Sequence, residues 1–234
     1  MHLSAPLETL RHNGYILVAS AFDGDTIATL IETLARSEMT RLSRGRAVFG
    51  ARNLLRIPAI CALASSPVLR GLVEPIVGPS ARPVRVLFFD KTPEANWPVL
   101  WHQDLSLALA VQHELAGWGP WTLKGGVPHV QPPAAILDEM LAVRIQLDNC
   151  GADNGPLRVL PGTQKMGRLD RDRVSELRRT IVEVACIGAS GSVLLMRPLL
   201  LHASSPAKAP AHRRVIHIEF APADLLPPPL AWAY

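Results

Sequence analysis

The stretch RRVIHIEFA, residues 213–221, decides the fold class. It is rich in β-branched residues, which predicts a strand, and side chains along a strand alternate between its two faces. Arg213, His217 and Glu219 therefore share one face, which is typical of a pocket wall. The other face carries Ile216 and Phe220 and is typical of core packing. This strand is predicted to separate a polar pocket from an apolar core.

Four more β-rich stretches precede it, separated by Gly, Pro and Asn turns. They are VRVLFFD (84–90), LAVRIQLDN (141–149), LRVLPG (157–162) and SGSVLLMRPLLLHAS (190–204). Because helices do not separate each pair, the order favours an antiparallel barrel or jelly roll over a doubly wound sheet. The first eighty residues are instead predicted to be mainly helical, with helices over 22–36 and within 59–77 and a possible edge strand at 14–20.

Length and composition indicate one domain over residues 1–234, with helical support over about 1–80 and a jelly-roll core over about 82–222. Apolar residues make up 48% of the chain and charged residues 19%, which excludes a disordered chain. The apolar stretches are interrupted before the roughly 18 residues that a membrane span needs. We find no secretory signal and expect a soluble protein without a membrane partner.

Cysteine and charge patterns narrow the class further. Cys61, Cys150 and Cys186 show no C-x-x-C spacing, which predicts free thiols and a cytoplasmic location. The net charge is +4, and the densest basic stretch, residues 167–179, is interleaved with acidic residues. That pattern favours a solvated helix over a nucleic-acid surface. We expect a monomer or homodimer with a small-molecule substrate and no nucleic-acid partner.

The stretch WPVLWHQDLSLAL, residues 97–109, places a histidine and an aspartate two residues apart in an apolar segment. In an extended chain His102 and Asp104 point to the same side. An imidazole and a carboxylate that converge inside a barrel are two of the three ligands of a facial triad, which holds non-haem Fe(II). The alternative is a structural hydrogen-bonded pair.

A third ligand is expected to be a histidine on another strand. The candidates are His113, His129, His202, His212 and His217. His202 ends the most hydrophobic predicted strand, and a buried strand that delivers one histidine at its end suits a ligand. Downstream, Arg213 begins the last strand, where its planar guanidinium can bind a carboxylate with two hydrogen bonds.

Four motifs together resemble a known family. They are WHQD (101–104), NGPLRVLPGTQKMGRL (154–169), LLLHASSP (199–206) and RRVIHIEFA (213–221). In this order, and over nearly the whole chain, they resemble the phytanoyl-CoA dioxygenase family of Fe(II)- and 2-oxoglutarate-dependent oxygenases. The resemblance implies a mainly β fold with flanking α-helices around a double-stranded β-helix, a cupin-like jelly roll. It also implies iron bound by His102, Asp104 and His202.

The resemblance extends to the co-substrate. It implies that the far carboxylate of 2-oxoglutarate binds Arg213, with the Ser204 hydroxyl as a helper. Lys91 and Arg144 occupy positions that contact the co-substrate in the family, although the position of Arg144 is often aromatic there. Gln146 shares a strand face with Arg144 and is equally placed for a substrate contact. One departure, GTQK at 162–165 in place of the more usual GSH, falls in a turn that we take as structural.

The stretch GWGPWTLKGGVPHVQPP, residues 117–133, predicts a long ordered loop of the kind that often carries function. Trp118 and Trp121 are candidates to line a substrate lid or to anchor the loop. His129 is a further candidate for substrate contact. Lys124 is a candidate partner for a substrate carboxylate or phosphate, a solvated lysine being the default.

These features predict a dioxygenase that uses Fe(II), 2-oxoglutarate and O2 to hydroxylate, or otherwise oxidise, an unactivated C–H bond of a metabolite, with release of succinate and CO2. Related halogenases carry a small residue in place of Asp104, so the carboxylate favours hydroxylation. The alternative is a non-oxidising cupin-like protein that binds a metal or ligand. The substrate, and hydroxylation as against desaturation or cyclisation, stay open at the sequence level.

Overall fold

Two antiparallel β-sheets enclose a cavity between their inner faces in the computed structural model, which describes residues 4–37, 40–44, 47–209 and 211–234. The strands are β1 (Tyr15–Val18), β2 (Thr40–Arg44), β3 (Ala47–Arg52), β4 (Ala81–Lys91), β5 (Val99–His102), β6 (Leu107–Ala108), β7 (Trp121–Lys124), β8 (Val127–Val130), β9 (Leu141–Gln146), β10 (Leu157–Val159), β11 (Val184–Cys186), β12 (Val193–Met196), β13 (His202–Ser204) and β14 (Arg213–Pro222). The helices are α1 (Ser4–Asn13), α2 (Gly24–Arg36), α3 (Pro58–Ala64), α4 (Pro67–Val77), α5 (Ala134–Asp138) and α6 (Arg171–Thr180), with 3-10 turns at Leu54–Arg56 and Thr163–Met166.

The large sheet has the strand order β1-β12-β9-β14-β4-β3-β2, and the small sheet has the order β11-β10-β13-β5. A three-stranded sheet, β6-β8-β7, adjoins them. All these pairings are antiparallel. This arrangement confirms the predicted fold class, a mainly β jelly-roll core with flanking α-helices.

Strand β14 lies between β4 and β9 and sets the character of the large sheet. Arg213 pairs with Lys91, Glu219 pairs with Arg85, and His217 pairs with Arg144 on the other side. Paired residues project from the same side of a sheet. The polar side predicted for β14 therefore extends across β4 and β9. We call the inward side chains on these three strands the polar face. It comprises Arg85, Lys91, Arg144, Gln146, Arg213, His217 and Glu219.

The opposite side of the large sheet packs against helices α2, α3 and α4. Ile216 and Ile218 of β14 are fully buried there. Helix α2 contributes Leu30, which belongs to the apolar stripe predicted from the helical spacing of residues 22–36. Each such side chain contributes about 2 kcal/mol on burial. The apolar side of β14 thus fixes the sheet, and this leaves its other side free for polar residues.

The segment 190–204, predicted as one strand, is two strands in different sheets. β12 ends at Met196 in the large sheet, and β13 begins at His202 in the small sheet. Pro198 lacks the N–H that would continue the hydrogen bonds of a strand. The Arg197 guanidinium holds the chain at this break by donating to the Asp138 and Met140 carbonyls. His202 therefore begins a strand and does not end one.

Two further predictions of secondary structure need correction. The region predicted as mainly helical contains the hairpin of β2 and β3, which pairs with β4 at the edge of the large sheet. The segment 117–133, predicted as a loop, contains the hairpin of β7 and β8. Gly125 and Gly126 form its turn with positive φ, a conformation that glycine adopts without strain.

Two predictions, a helix in the basic stretch and free cysteines, were confirmed. Helix α6 begins within the basic stretch 167–179, and its Arg173 forms an ion pair with Glu176 at 2.6 Å. The three cysteines are free. Within the described ranges no single helix is long and apolar enough to cross a membrane, although α3 and α4, bent by 51°, pass that test together by length and composition. Both helices pack into the core through fully buried residues such as Ile60 and Leu69.

Candidate metal centre

The three predicted metal ligands converge between the sheets. His202 on β13 pairs with His102 on β5, which sets the two imidazoles side by side. Asp104 lies just beyond β5, and its carboxylate oxygens are each 3.7 Å from the Nε2 atom of one histidine. One donor atom from each of the three residues lies within 4.8 Å of the others. The structure therefore brings together the triad predicted from the sequence.

The main chain orients both imidazoles. The carbonyls of Leu100 and Leu200 each accept a hydrogen bond, at 2.8 Å, from Nδ1 of the histidine two residues later. A carbonyl oxygen can only accept, so Nδ1 carries the proton and Nε2 keeps a free lone pair. Those Nε2 atoms face Asp104. The tautomers are thus already suited to metal ligation.

Gln103, between the two ligands of the WHQD motif, anchors the Asp104 segment on the opposite side. Its amide donates to the Leu199 and Gly167 carbonyls at 2.7 and 2.8 Å, and it accepts from the Leu169 N–H at 2.9 Å. The Asp104 N–H donates to the Pro198 carbonyl at 2.9 Å. Because β5 ends at His102, these bonds, and not strand pairing, position Asp104. No role for Gln103 is predicted from the sequence, although an extended WHQD places its side chain opposite His102 and Asp104.

Charge at the triad favours a metal cation. Burial, and then His102, lowers the pKa of His202 to about 3, so this imidazole is neutral at neutral pH. Burial alone would raise the pKa of Asp104, but His202, His217 and His102 outweigh it and hold the pKa below its usual range. Two imidazole nitrogens and an ionised carboxylate oxygen are the donor set of non-haem Fe(II) sites. The residues present therefore fit Fe(II).

A pair of buried cations lies beside the triad, at the start of β14. Lys91 is 0% and Arg213 3% exposed. The Lys91 ammonium donates to Ser204 Oγ at 2.6 Å and to the Ser205 carbonyl. Burial and the neighbouring Arg213 lower the pKa of Lys91 to about 7. We call Arg213, Lys91 and Ser204 the inner cluster.

The inner cluster lacks a counterion within the described part of the chain. Neither Arg213 nor Lys91 forms an ion pair there, and Arg213 Nε has no hydrogen-bond partner. Buried cations are costly unless an anion accompanies them. A carboxylate between the two side chains would supply both the charge and the missing acceptors. The inner cluster therefore fits the far carboxylate of 2-oxoglutarate.

Arg144 and His217 form a third buried group, at the level of the triad. Arg144 Nη1 lies 3.1 Å from His217 Nδ1, while Arg144 Nε and Gln146 Oε1 have no partner in the described structure. His217 Nε2 is 4.0 Å from Asp104 Oδ2 and 3.6 Å from Glu219 Oε1. His217 is therefore a neighbour of the triad and not one of its ligands. The unsatisfied atoms of Arg144 and Gln146 leave polar groups available to a bound molecule.

A cavity of about 260 Å³ joins these groups. Its lining includes the triad, Arg144, Ser204, Arg213 and His217. Phe49 and Trp97, whose ring centroids are 4.7 Å apart, form an aromatic part of the wall. Phe49 is not predictable from the local pattern, because it lies on strand β3, which the sequence does not predict.

The predicted substrate residues are more dispersed. Trp118 and Trp121 pack, partly buried, against a second apolar cluster and lie outside the lining of the cavity, which favours the anchoring alternative. His129 is buried on β8, where its Nδ1 donates to the Val127 carbonyl at 2.9 Å. Burial lowers the pKa of His129 to about 4. His212 pairs with Asp90 at 2.8 Å, and His113 lies outside the triad.

Comparison with protein families identifies the chain. The family model described as phytanoyl-CoA dioxygenase (PhyH) matches residues 10–215. The chain belongs to the phytanoyl-CoA dioxygenase family. A comparison with curated proteins gives no significant match. Family membership and the triad together make this protein an oxygenase of the Fe/2-oxoglutarate type.

Solved structures share the fold of this family member at low sequence identity. AviO1 from Streptomyces viridochromogenes is 22% identical with a TM-score of 0.69, and the match covers 97% of both chains. EctD from S. alaskensis, solved with 2-oxoglutarate and 5-hydroxyectoine, is 17% identical with a TM-score of 0.72, covering 93% of this chain and 75% of that one. The epimerase SnoN, solved with Fe3+, alpha ketoglutarate and nogalamycin RO, is 16% identical with a TM-score of 0.70, covering 94% and 84%.

Proposed function

We propose that the protein is an Fe(II)- and 2-oxoglutarate-dependent dioxygenase that hydroxylates, or otherwise oxidises, an unactivated C–H bond of a small-molecule metabolite and releases succinate and CO2. The observation that carries this proposal is the position of the triad beside two buried cations, Arg213 and Lys91, that form no ion pair in the described structure. A site for a metal alone has no need of the cations. A binding site for a carboxylate alone has no need of the triad.

His102, Asp104 and His202 would hold the iron. When bound, Fe(II) and 2-oxoglutarate supply the oxidising chemistry, with O2 as the oxidant. The protein's own contribution is to fix the donor atoms before the metal arrives, through the carbonyls of Leu100 and Leu200. Asp104 fills the position that a halide would need, which supports oxygen insertion over halogenation.

The inner cluster would bind the far carboxylate of 2-oxoglutarate. The Arg213 guanidinium can donate two parallel hydrogen bonds, and the Lys91 ammonium adds a charge from the side. Ser204 accepts from Lys91 at 2.6 Å and donates to the Gly155 carbonyl at 3.2 Å, so it holds the ammonium in place for the carboxylate. A carboxylate there would also raise the pKa of Lys91 and keep it charged. These three residues together would orient the co-substrate toward the triad.

Arg144 and Gln146 would line the space between co-substrate and substrate. Arg144 is held by His217, which leaves its Nε free to donate. The Gln146 Oε1 atom is free to accept. Burial, and then Arg213, lowers the pKa of Arg144 to about 10, so the guanidinium stays charged at neutral pH. The charged Arg144 side chain attracts water more strongly than an apolar wall would. We therefore expect a bound ligand to cover it.

A small-molecule substrate is supported by the size of the cavity and by the complexes of the neighbours. The cavity measures about 260 Å³ and is enclosed by both sheets. EctD was solved with 5-hydroxyectoine and SnoN with nogalamycin RO, both small molecules. We therefore extend the small-molecule class, and not a particular compound, to this chain.

Anaerobic addition of Fe(II) and 2-oxoglutarate tests the proposal. We expect a weak visible charge-transfer band when the co-substrate chelates iron, and succinate release with part of a metabolite panel under air. His202→Ala should abolish both signals, because it removes a ligand at the buried side of the triad. His113→Ala, a histidine outside the site, is the matched control. A folded protein that binds Fe(II) without this band would contradict the proposal and favour a non-oxidising metal-binding protein.

A further inference from the structure

A second group of cations lies on the other side of the triad from the inner cluster. It consists of Arg52 on β3, Arg85 on β4 and Lys124 on β7, and we call it the outer cluster. Arg52 and Lys124 are half-buried. The proposed binding of iron and 2-oxoglutarate uses none of these three side chains.

Ser106 connects the outer cluster to the metal centre. Its carbonyl accepts from Arg85 Nη1 at 3.1 Å, and its hydroxyl accepts from Lys124 Nζ at 3.3 Å. Ser106 follows the metal ligand Asp104 by two residues. Two of the three cations are therefore held against the segment that carries a ligand of the triad.

Arg52 reaches the same place from the hairpin of β2 and β3. Arg52 is the last residue of β3 and lies close enough to Arg85 for the two charges to interact. The next residue, Asn53, donates from its side chain to the Gly125 carbonyl at 3.2 Å. Gly125 follows Lys124 directly, so this hydrogen bond ties the end of β3 to the end of β7.

The charges of the outer cluster are only partly compensated. Arg85 pairs with Glu219 at 3.1 Å, whereas Arg52 and Lys124 form no ion pair with the carboxylates that the structure describes. Burial, and then Arg85 and Arg52, lowers the pKa of Lys124, and burial and Arg85 lower the pKa of Arg52. The three cations thus repel one another. An anion placed there would relieve the repulsion.

The outer and inner clusters flank the triad along β14. Arg213 and Glu219 are six residues apart, which is roughly 20 Å along a strand. His217, 4.0 Å from Asp104, lies between them. The two carboxylates of 2-oxoglutarate would be taken up by the inner cluster and by the metal. The outer cluster would then remain the positively charged side of the site that faces a substrate.

We propose that Arg52 and Lys124 form a binding site for an oxyanion of the substrate, a carboxylate or a phosphate, so that the protein acts on an anionic metabolite. Arg52 offers two parallel donors to a planar or tetrahedral oxyanion, and Lys124 offers a point charge. Ser106 positions Lys124, and Glu219 holds Arg85 at the back of the site. The identity of the bound anion as a substrate rests on the proposed oxygenase function; the oxyanion site itself does not.

Calorimetric binding of two probes tests the site without turnover. Protein loaded with Fe(II) and saturated with 2-oxoglutarate under anaerobic conditions is titrated with methyl phosphate and, separately, with acetate. We expect one of them to bind. Arg52→Gln and Lys124→Gln should each weaken that binding by about tenfold, as expected for the loss of one charged hydrogen bond. Lys208→Gln, which removes an exposed lysine paired with Asp153, should leave it unchanged.

The outcomes separate this inference from the oxygenase proposal. A preference for methyl phosphate indicates a phosphorylated substrate, and a preference for acetate indicates a carboxylate. Binding that survives in the double variant Arg52→Gln/Lys124→Gln, or no binding of either probe to the original protein, overturns the oxyanion site. If the charge-transfer band is absent but probe binding depends on both residues, the oxygenase proposal fails and the site stands. An unchanged affinity for 2-oxoglutarate in each variant confirms that the inner cluster is intact.

Discussion

The inner and outer clusters carry the same charge in different surroundings. Lys91 and Arg213 are almost fully buried, whereas Arg52 and Lys124 are half-buried. An unpaired cation in the interior is much more costly than one in contact with water. We therefore expect the inner cluster to hold an anion whenever the enzyme is active, and the outer cluster to exchange its anion with water. Burial, and not charge, would then distinguish the proposed co-substrate site from the proposed substrate site.

The strongest test of this difference is the substitution Arg213→Ala. Losing two charged hydrogen bonds in a buried site should weaken 2-oxoglutarate binding by about 100-fold or more. Anaerobic calorimetry with the Fe(II)-loaded protein measures this change. Arg214→Ala is the control, because Arg214 points to the other side of β14 and pairs with Asp148 at 2.6 Å. If Arg213→Ala left the dissociation constant of 2-oxoglutarate unchanged, Lys91 and not Arg213 would be the main partner of its carboxylate.

A second test uses the titration of Lys91, whose pKa is about 7 in the free protein. Below pH 7 the ammonium is already charged, so 2-oxoglutarate affinity should vary little. Above pH 7 binding must take up a proton, and affinity should fall, by up to about tenfold per pH unit. Lys91→Met should bind more weakly at pH 6 and lose this dependence. A slope above pH 7 that persists in Lys91→Met would assign the proton to another group.

The smallest expected effect concerns Glu219, which holds Arg85 in the outer cluster. Glu219→Gln removes a negative charge beside three cations. Glu219 and Arg85 are both largely buried, but Glu219 acts on the probe from behind Arg85, so probe binding at the outer cluster should strengthen by about threefold. Glu183→Gln, which releases Arg158 on the small sheet, is the matched control. Weaker probe binding in Glu219→Gln would contradict this expectation and would mean that the site needs the ion pair for its shape.

The two clusters also differ in how far sequence predicts them. Arg213 and Lys91 lie on strands with clear alternation, and family resemblance marked both positions. Arg52 lies on β3, for which no strand was predicted, because residues 40–52 have mixed polarity and no strong period of two. Its place is set by pairing with β4, a contact between distant segments that local pattern does not encode. Lys124 was a candidate partner for a substrate anion, but the sequence does not show that Arg52 and Arg85 lie beside it.

The triad shows the same division. His102, Asp104 and His202 were predicted from spacing, hydrophobic context and resemblance, and the structure confirms that they converge. The strand assignment around His202 was wrong, since one apolar stretch serves two sheets. The sequence around Pro198 is apolar on both sides, so its pattern does not mark the break between the strands. Only the pairing partners show where one sheet ends and the other begins. The convergence of these three residues therefore proved more predictable than the strands that carry them.

The segment between β12 and β13 has a consequence for the order of folding. Its Pro198 and Leu199 carbonyls hold the Asp104 and Gln103 segment, so the triad is complete only after both sheets have closed around it. Ligands this far apart in sequence come together late, since their loop must close first. A metal that binds only the closed form should slow unfolding and leave the refolding rate nearly unchanged. A bound metal would therefore stabilise the folded protein and would not nucleate its folding.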